Sequence, residues 1–175
     1  MTVETRTSEL AIVRPLTEAD LPRFLDLIDA LADYEKLERP SAEARARLVA
    51  HALADPPRFH ALLAERAGRA VGYAIFFETY STFLALPTLY IEDIFVLEEE
   101  RRRGIGQAMM RELAREALRR GCGRMEWQVL TWNQPAISFY ERCGAKRMSA
   151  WHTYRLEADQ FSALAGQQEA IDEKS

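Results

Sequence analysis

"ERRRGIGQAMMRELAREALRRG", residues 100–121, sets three arginines against two glycines and then runs into a patterned stretch. Its apolar positions Ile105, Met109, Leu113 and Ala117 recur at i, i+4 spacing, which predicts an amphipathic helix closing at Gly121. The segment before it, "LYIEDIFV" (89–96), reads as a strand with Tyr90, Glu92, Ile94 and Val96 on one face and Ile91, Asp93 and Phe95 on the other. The local order is strand, arginine-glycine turn, helix. Basic side chains at a helix start oppose the dipole unless an anion is present, so the turn asks for one.

Two well-known phosphate loops do not fit. A dinucleotide fingerprint needs a small residue where Met109 stands, and a Walker loop needs Gly-Lys-Ser/Thr, which is absent. What remains is Arg101-x-x-Gly104-x-Gly106, where side-chain-free glycines let backbone N–H groups close around an anion. A pyrophosphate suits that space. Nucleic acid does not suit the chain, since Lys+Arg number 23 against Asp+Glu 27 and the arginine cluster is local.

Outward from the turn, strands and helices alternate. "LAIVRP" (10–15) reads as an opening strand, followed by a helix from Glu18 to Tyr34, capped by Thr17, with Leu21, Phe24, Leu25, Ile28 and Leu31 apolar. A second helix covers 41–54, and "FHALLAER" with "AVGYAIFFE" straddles Gly68 as an antiparallel hairpin. "YSTFLALPT" (80–88) reads as a loop. "RMEWQVL" (124–130) is a further strand, "NQPAISFYERCGA" a short helix capped by Asn133 and ended by Gly144, and "WHTYRL" (151–156) a last strand. At 175 residues and 48% hydrophobic, the pattern predicts one domain spanning 1–175, with a core over about 10–158 and a polar tail over 165–175. No apolar run approaches a bilayer span, and the N-terminus lacks a targeting pattern, which predicts a cytoplasmic protein away from membranes. Cys122 and Cys143 lack metal-site spacing and read as reduced, partly buried thiols; no metal is expected.

The Arg101–Gly106 turn, "LYIEDIFV" before it, "WNQPAISFYERCGA" after it and "IVRPLTEAD" at the start together resemble the GNAT acyltransferase superfamily, in its diamine acetyltransferase branch, over about residues 11–156. That branch holds spermidine/spermine and thialysine N-acetyltransferases. The resemblance implies an α/β (α+β) fold with a mixed, mostly antiparallel sheet and a splayed strand pair at an acetyl-CoA site. It implies that Arg101, Arg102, Arg103, Gly104, Ile105, Gly106 and Gln107 receive the pyrophosphate, and that Ile94, Phe95 and Val96 bind the thioester arm through main-chain atoms. Asn133, Gln134, Pro135, Ala136 and Tyr140 line the CoA channel by the same resemblance.

Acetyl transfer to an amine requires loss of a proton from a group with pKa near ~10.4 before it attacks the thioester. Glu92 is the expected base, acting directly or through water, and Tyr140 the expected acid for the CoA thiolate. Tyr34, Glu35, Glu92, Asp93, Glu126, Trp127, Gln128 and His152 are the expected amine pocket, a cation site rich in carboxylates. Polyamine acetyltransferases carry an acid at the place of His152, so this chain leans toward the thialysine side of the branch. The implied reaction moves an acetyl group to a small diamine, polyamine or lysine-like amine in a ternary complex, and the family suggests a homodimer. A protein or antibiotic N-acetyltransferase and a non-catalytic acyl-CoA sensor are the alternatives.

Overall fold

The computed structural model describes residues 11–166. These divide in sequence, between Asn133 and Gln134, into two compact units. The first carries a five-stranded sheet of order β1 (Ile12–Pro15), β2 (His60–Arg66), β3 (Arg69–Ser81), β4 (Leu86–Val96) and β5 (Arg124–Trp127). Neighbours pair antiparallel from β1 to β4, and β5 joins β4 in parallel. The mixed, mostly antiparallel architecture expected from the sequence is therefore present, with helices α1 (Leu21–Glu35), α2 (Ala42–Ala52) and α3 (Ile105–Arg119).

Alternation along β3 explains how the sheet is covered. Tyr73 and Ile75 project to one face, where Leu21, Phe24 and Leu27 of α1 join them with Leu63 and Phe95 in a core cluster. Phe24 meets Tyr73 edge-on at 5.4 Å, the arrangement that ring quadrupoles favour. Phe76 projects to the other face, and Arg120, just past α3, lies 5.3 Å over its ring. There α3 buries Ile105, Met109, Leu113 and Ala117, the face its spacing predicted, together with Met110.

Three local readings change in the first unit. The first helical turn, Glu18–Asp20, is 3-10 rather than α, because the Asp20 carboxylate accepts from the Thr17 N–H at 2.9 Å and from two Arg14 nitrogens at 2.6 and 2.8 Å. The predicted loop 80–88 is mostly strand: Thr79 pairs with Thr88 and Ser81 with Leu86, leaving only 82–85 as the turn. Buried Ser81 and Thr88 are polar by name yet serve as sheet residues. The predicted strand 124–130 ends at Trp127. The pairing between β4 and β5 stops at Ile91↔Trp127 while β4 runs on to Val96 against β3, so the last residues of β4 have no partner in β5.

The second unit holds α4 (Gln134–Arg142) and α5 (Ala158–Gly166). No strand forms at 151–156, where Trp151, Tyr154 and Leu156 are exposed. Aromatic and β-branched residues there signal β-propensity, but propensity becomes a strand only with a partner and a buried face. Residues 165 and 166 belong to α5 rather than to a polar tail, and 167–175 lie outside the described residues, as do 1–10. Both cysteines are free; Cys122 is half-buried, its thiol pushed up by burial, but Cys143 is exposed, contrary to expectation.

Candidate active site

The arginine-glycine turn is built from both ends. Glu100 is buried, although charged, because Arg66 of β2 reaches it at 2.9 Å and Arg103 at 3.4 Å. This anchor was not legible in a run of three glutamates. Beyond it Arg102 and Gly104 both adopt left-handed backbone, with φ of 60° and 79°, and Gly104 becomes the N-cap of α3. The intrahelical ladder begins with the Ala108 N–H donating to the Gly104 carbonyl at 2.9 Å. The N–H groups of Ile105, Gly106 and Gln107 therefore face the helix end without an intrahelical acceptor. A Cβ built at Gly104 meets no atom within 4 Å, so open space adjoins these donors. The turn fits a pyrophosphate through its backbone. Arg102 is exposed, whereas Arg101 is half-buried and turned inward.

Inward, Arg101 donates from Nε to the Val96 carbonyl at 3.0 Å, and its guanidinium lies 4.3 Å over the Tyr34 ring. Tyr34, near the end of α1, also approaches Phe95 at 6.4 Å and Trp132 at 5.9 Å, and its hydroxyl donates to Asn133 Oδ1 at 3.3 Å. Two segments distant from α1 in sequence, 95–101 and 132–133, thus converge on Tyr34. Trp132 was missed in the sequence, and so was Gly72, which faces Val96 in register. A Cβ on Gly72 would stand 2.6 Å from the Phe95 carbonyl, so only glycine permits this approach of β3 to β4.

The expected alternation of β4 breaks at Glu92. Ile75 pairs with Asp93 but Phe76 with Ile91, so Glu92 is the extra residue of a β-bulge. Glu92 stands exposed and Asp93 is drawn inward, where the Tyr73 hydroxyl donates to Asp93 Oδ2 at 3.3 Å. Burial, and then the charge of Glu92, pushes the Asp93 carboxyl up to about 6, with Glu35 adding in the same sense and the Tyr73 hydrogen bond opposing it. Burial raises the Glu35 carboxyl as well. Tyr73 is fully buried and its phenol is held well above its usual value by burial and by Asp93. Glu126 lies opposite Tyr90 in register and pairs with Arg124 at 3.0 Å, Trp127 lies opposite Ile91, and Gln128 follows the end of β5. Gln134, Pro135, Ala136 and Tyr140 fall on α4, and His152 in the irregular segment of the second unit.

The Asp93 shift has a signed consequence for stability. Its pKa is higher folded than unfolded, so its favourable contribution is complete below about 4 and is lost as pH rises through about 6. Asp93→Asn keeps an oxygen for Tyr73 without a buried charge. The variant is expected to be more stable than wild type by on the order of 2 kcal/mol at about pH 8, with a smaller gain at about pH 5. Urea unfolding at both values reads this out, and an equal gain at both would deny the charge its role.

A family model described as "Acetyltransferase (GNAT) family" matches residues 24–145. A thialysine N-epsilon-acetyltransferase of Sus scrofa is 33% identical over 166 residues, covering 89% of this chain and 97% of that protein. The L-ornithine N5-acetyltransferase NATA1 of Arabidopsis thaliana is 43% identical over 93 residues, 53% of this chain and 41% of that protein. Among solved structures, an integron cassette protein from the mobile metagenome of V. cholerae superposes with a TM-score of 0.75 at 22% identity, over 89% of this chain and 97% of that one, a likeness of fold. On a family match spanning most of its length, the chain belongs to the GNAT family of acetyltransferases, enzymes that take acetyl-CoA as co-substrate.

Proposed function

We propose that this acetyltransferase acts on the primary amine of a small cationic acceptor, a short diamine or a lysine-like amino acid, by direct attack on acetyl-CoA in a ternary complex. The observation that carries the reading is the bulge in β4, which places exposed Glu92 beside inward Asp93, whose carboxyl feels the charges of both Glu92 and Glu35. Three carboxylates next to an anion-binding turn suit a substrate with two positive centres, one to be held and one to be deprotonated. The activities for which the thialysine and ornithine relatives are named lie in the same chemical class. Glu126 is engaged by Arg124, which makes it the weaker candidate among the expected amine ligands.

In the proposed sequence Glu92 takes a proton from the ammonium, directly or through water, and passes it to solvent. The freed nitrogen forms a bond to the thioester carbon, whose oxygen is polarised by main-chain N–H near Val96. The C–S bond then breaks, Tyr140 gives its proton to the departing thiolate, and the second proton of the acylated nitrogen leaves through water to restore the phenol, which completes the amide. Two matters come with the reading: a single catalytic domain, favoured because the family match at 24–145 runs through Asn133 and Gln134, and a cytoplasmic homodimer, which rests on the family resemblance.

Thiol release from acetyl-CoA against a panel of thialysine-like amino acids, ornithine, short diamines, long polyamines, peptide amines and an aminoglycoside tests the acceptor. Turnover is expected on the first three. Preference for peptides or the aminoglycoside would move the enzyme to another branch, and CoA binding without turnover on any amine would make it a sensor. Within the panel, Glu92→Gln is expected to lower kcat/KM roughly tenfold near neutral pH while leaving acetyl-CoA binding unchanged. Raising pH deprotonates more of the free amine and should rescue the variant in part; parallel pH profiles of equal height would make Glu92 a bystander.

A further inference from the structure

We infer that Arg101 is a positioning residue that couples the cofactor turn to the amine pocket through the ring of Tyr34. The inference rests on the acetyltransferase reading for the two ligands it connects. Its observations are geometric: the side chain of Arg101 leaves the turn, binds the Val96 carbonyl through Nε at 3.0 Å, and lays its guanidinium against two aromatic rings, 4.3 Å from Tyr34 and 5.8 Å from Phe95. The nearer distance is well inside cation–π range, and a flat, weakly hydrated guanidinium suits that position better than an ammonium. Arg102 and Arg103, on the same turn, are both exposed.

The consequence follows from what each group is attached to. The main chain of Arg101 belongs to the turn whose amides receive the pyrophosphate, while Tyr34 belongs to the last turn of α1, adjacent to Glu35. The Tyr34 hydroxyl reaches Asn133, on the segment following β5. Ordering the turn around CoA therefore fixes Arg101, and Arg101 fixes the ring at the entrance to the acidic pocket. By linkage the effect is reciprocal: a change at Tyr34, a residue of the amine side, alters affinity for CoA.

A double-mutant cycle measures the coupling directly. Calorimetry with CoA is run on wild type, Arg101→Leu, Tyr34→Leu and the double variant, each checked by circular dichroism, with Tyr34→Met replacing Tyr34→Leu should that protein fail to fold. Each single change is expected to weaken CoA binding about fivefold, and the double variant to be no weaker than the worse single one. Tyr34→Phe retains the ring and should stay within about twofold of wild type. In amine kinetics, Arg101→Leu should raise KM for the acceptor as Tyr34→Leu does, which a lone phosphate ligand would not do.

Wild-type CoA affinity in Tyr34→Leu, or losses that multiply in the double variant, would overturn the coupling and return Arg101 to an independent cofactor contact. A wild-type protein that binds CoA yet acetylates no amine would sink the proposed function while leaving the cycle readable. One that binds no CoA would sink both.

Discussion

Gly106→Val is expected to abolish acetyl-CoA binding, with affinity falling by at least about a hundredfold. Gly106 is the second residue of α3 and is absent from the glycines with positive φ, so its backbone is ordinary helix. Valine is a tolerable residue there, slightly better than glycine by intrinsic helix propensity. Its branched Cβ would instead occupy the space in which a phosphate oxygen meets the first-turn amides. Gly104→Val is a poorer probe. Its added Cβ has room, but a φ of 79° strains any β-branched residue by about 1–2 kcal/mol whatever the ligand does. Calorimetry with acetyl-CoA on Gly106→Val, beside a thermal melt that should match wild type, decides the matter: unchanged affinity would remove the anion-binding reading of the turn.

That turn and its helix were the most legible part of the chain, for a physical reason. Glycine punctuation and the spacing of Ile105, Met109, Leu113 and Ala117 are both local signals, and they agree. Where local signals compete, the reading failed. Ser81, Thr82 and Pro87 mark a loop by composition, yet cross-strand pairs such as Thr79↔Thr88 extend the hairpin through them. At 151–156 the opposite occurred, since strand-like residues have no strand to form there.

The candidate site divides in the same way. Residue types and their order on the chain put the carboxylates forward as candidates, but a strict period of two set Glu92 and Asp93 on opposite faces of a regular strand. A bulge does something different: it leaves one acid in solvent and draws its neighbour into the core beside Tyr73. Burial and the neighbouring charge of Glu92 then make the Asp93 carboxylate costly to ionise. No periodicity argument locates a bulge, because its cause is the fit of β3 to β4. The partner of Arg101 was equally hidden. Charge assigned the side chain to phosphate, and only the tertiary approach of α1 to the turn supplies a ring for it to cover.

Tyr140→Phe is the second change of large expected effect, a fall in turnover of about 100-fold. The substitution isolates one atom. Phenylalanine keeps the ring, and with it the 5.3 Å contact to Phe139. It keeps the backbone too, whose carbonyl at this position accepts from the N–H groups of Cys143 and Ala145 at 3.0 and 3.1 Å and so closes the end of α4. Melting temperature and acetyl-CoA affinity should therefore hold near wild type. In the proposed mechanism what is lost is the proton for the thiolate, an atom that matters only as the C–S bond breaks, so the deficit should fall on kcat and leave KM for both substrates little changed. Steady-state rates with one short diamine, at saturating acetyl-CoA, measure it. Wild-type turnover in the variant would give that proton to water, and a rise in KM without a fall in kcat would make the hydroxyl a binding group instead.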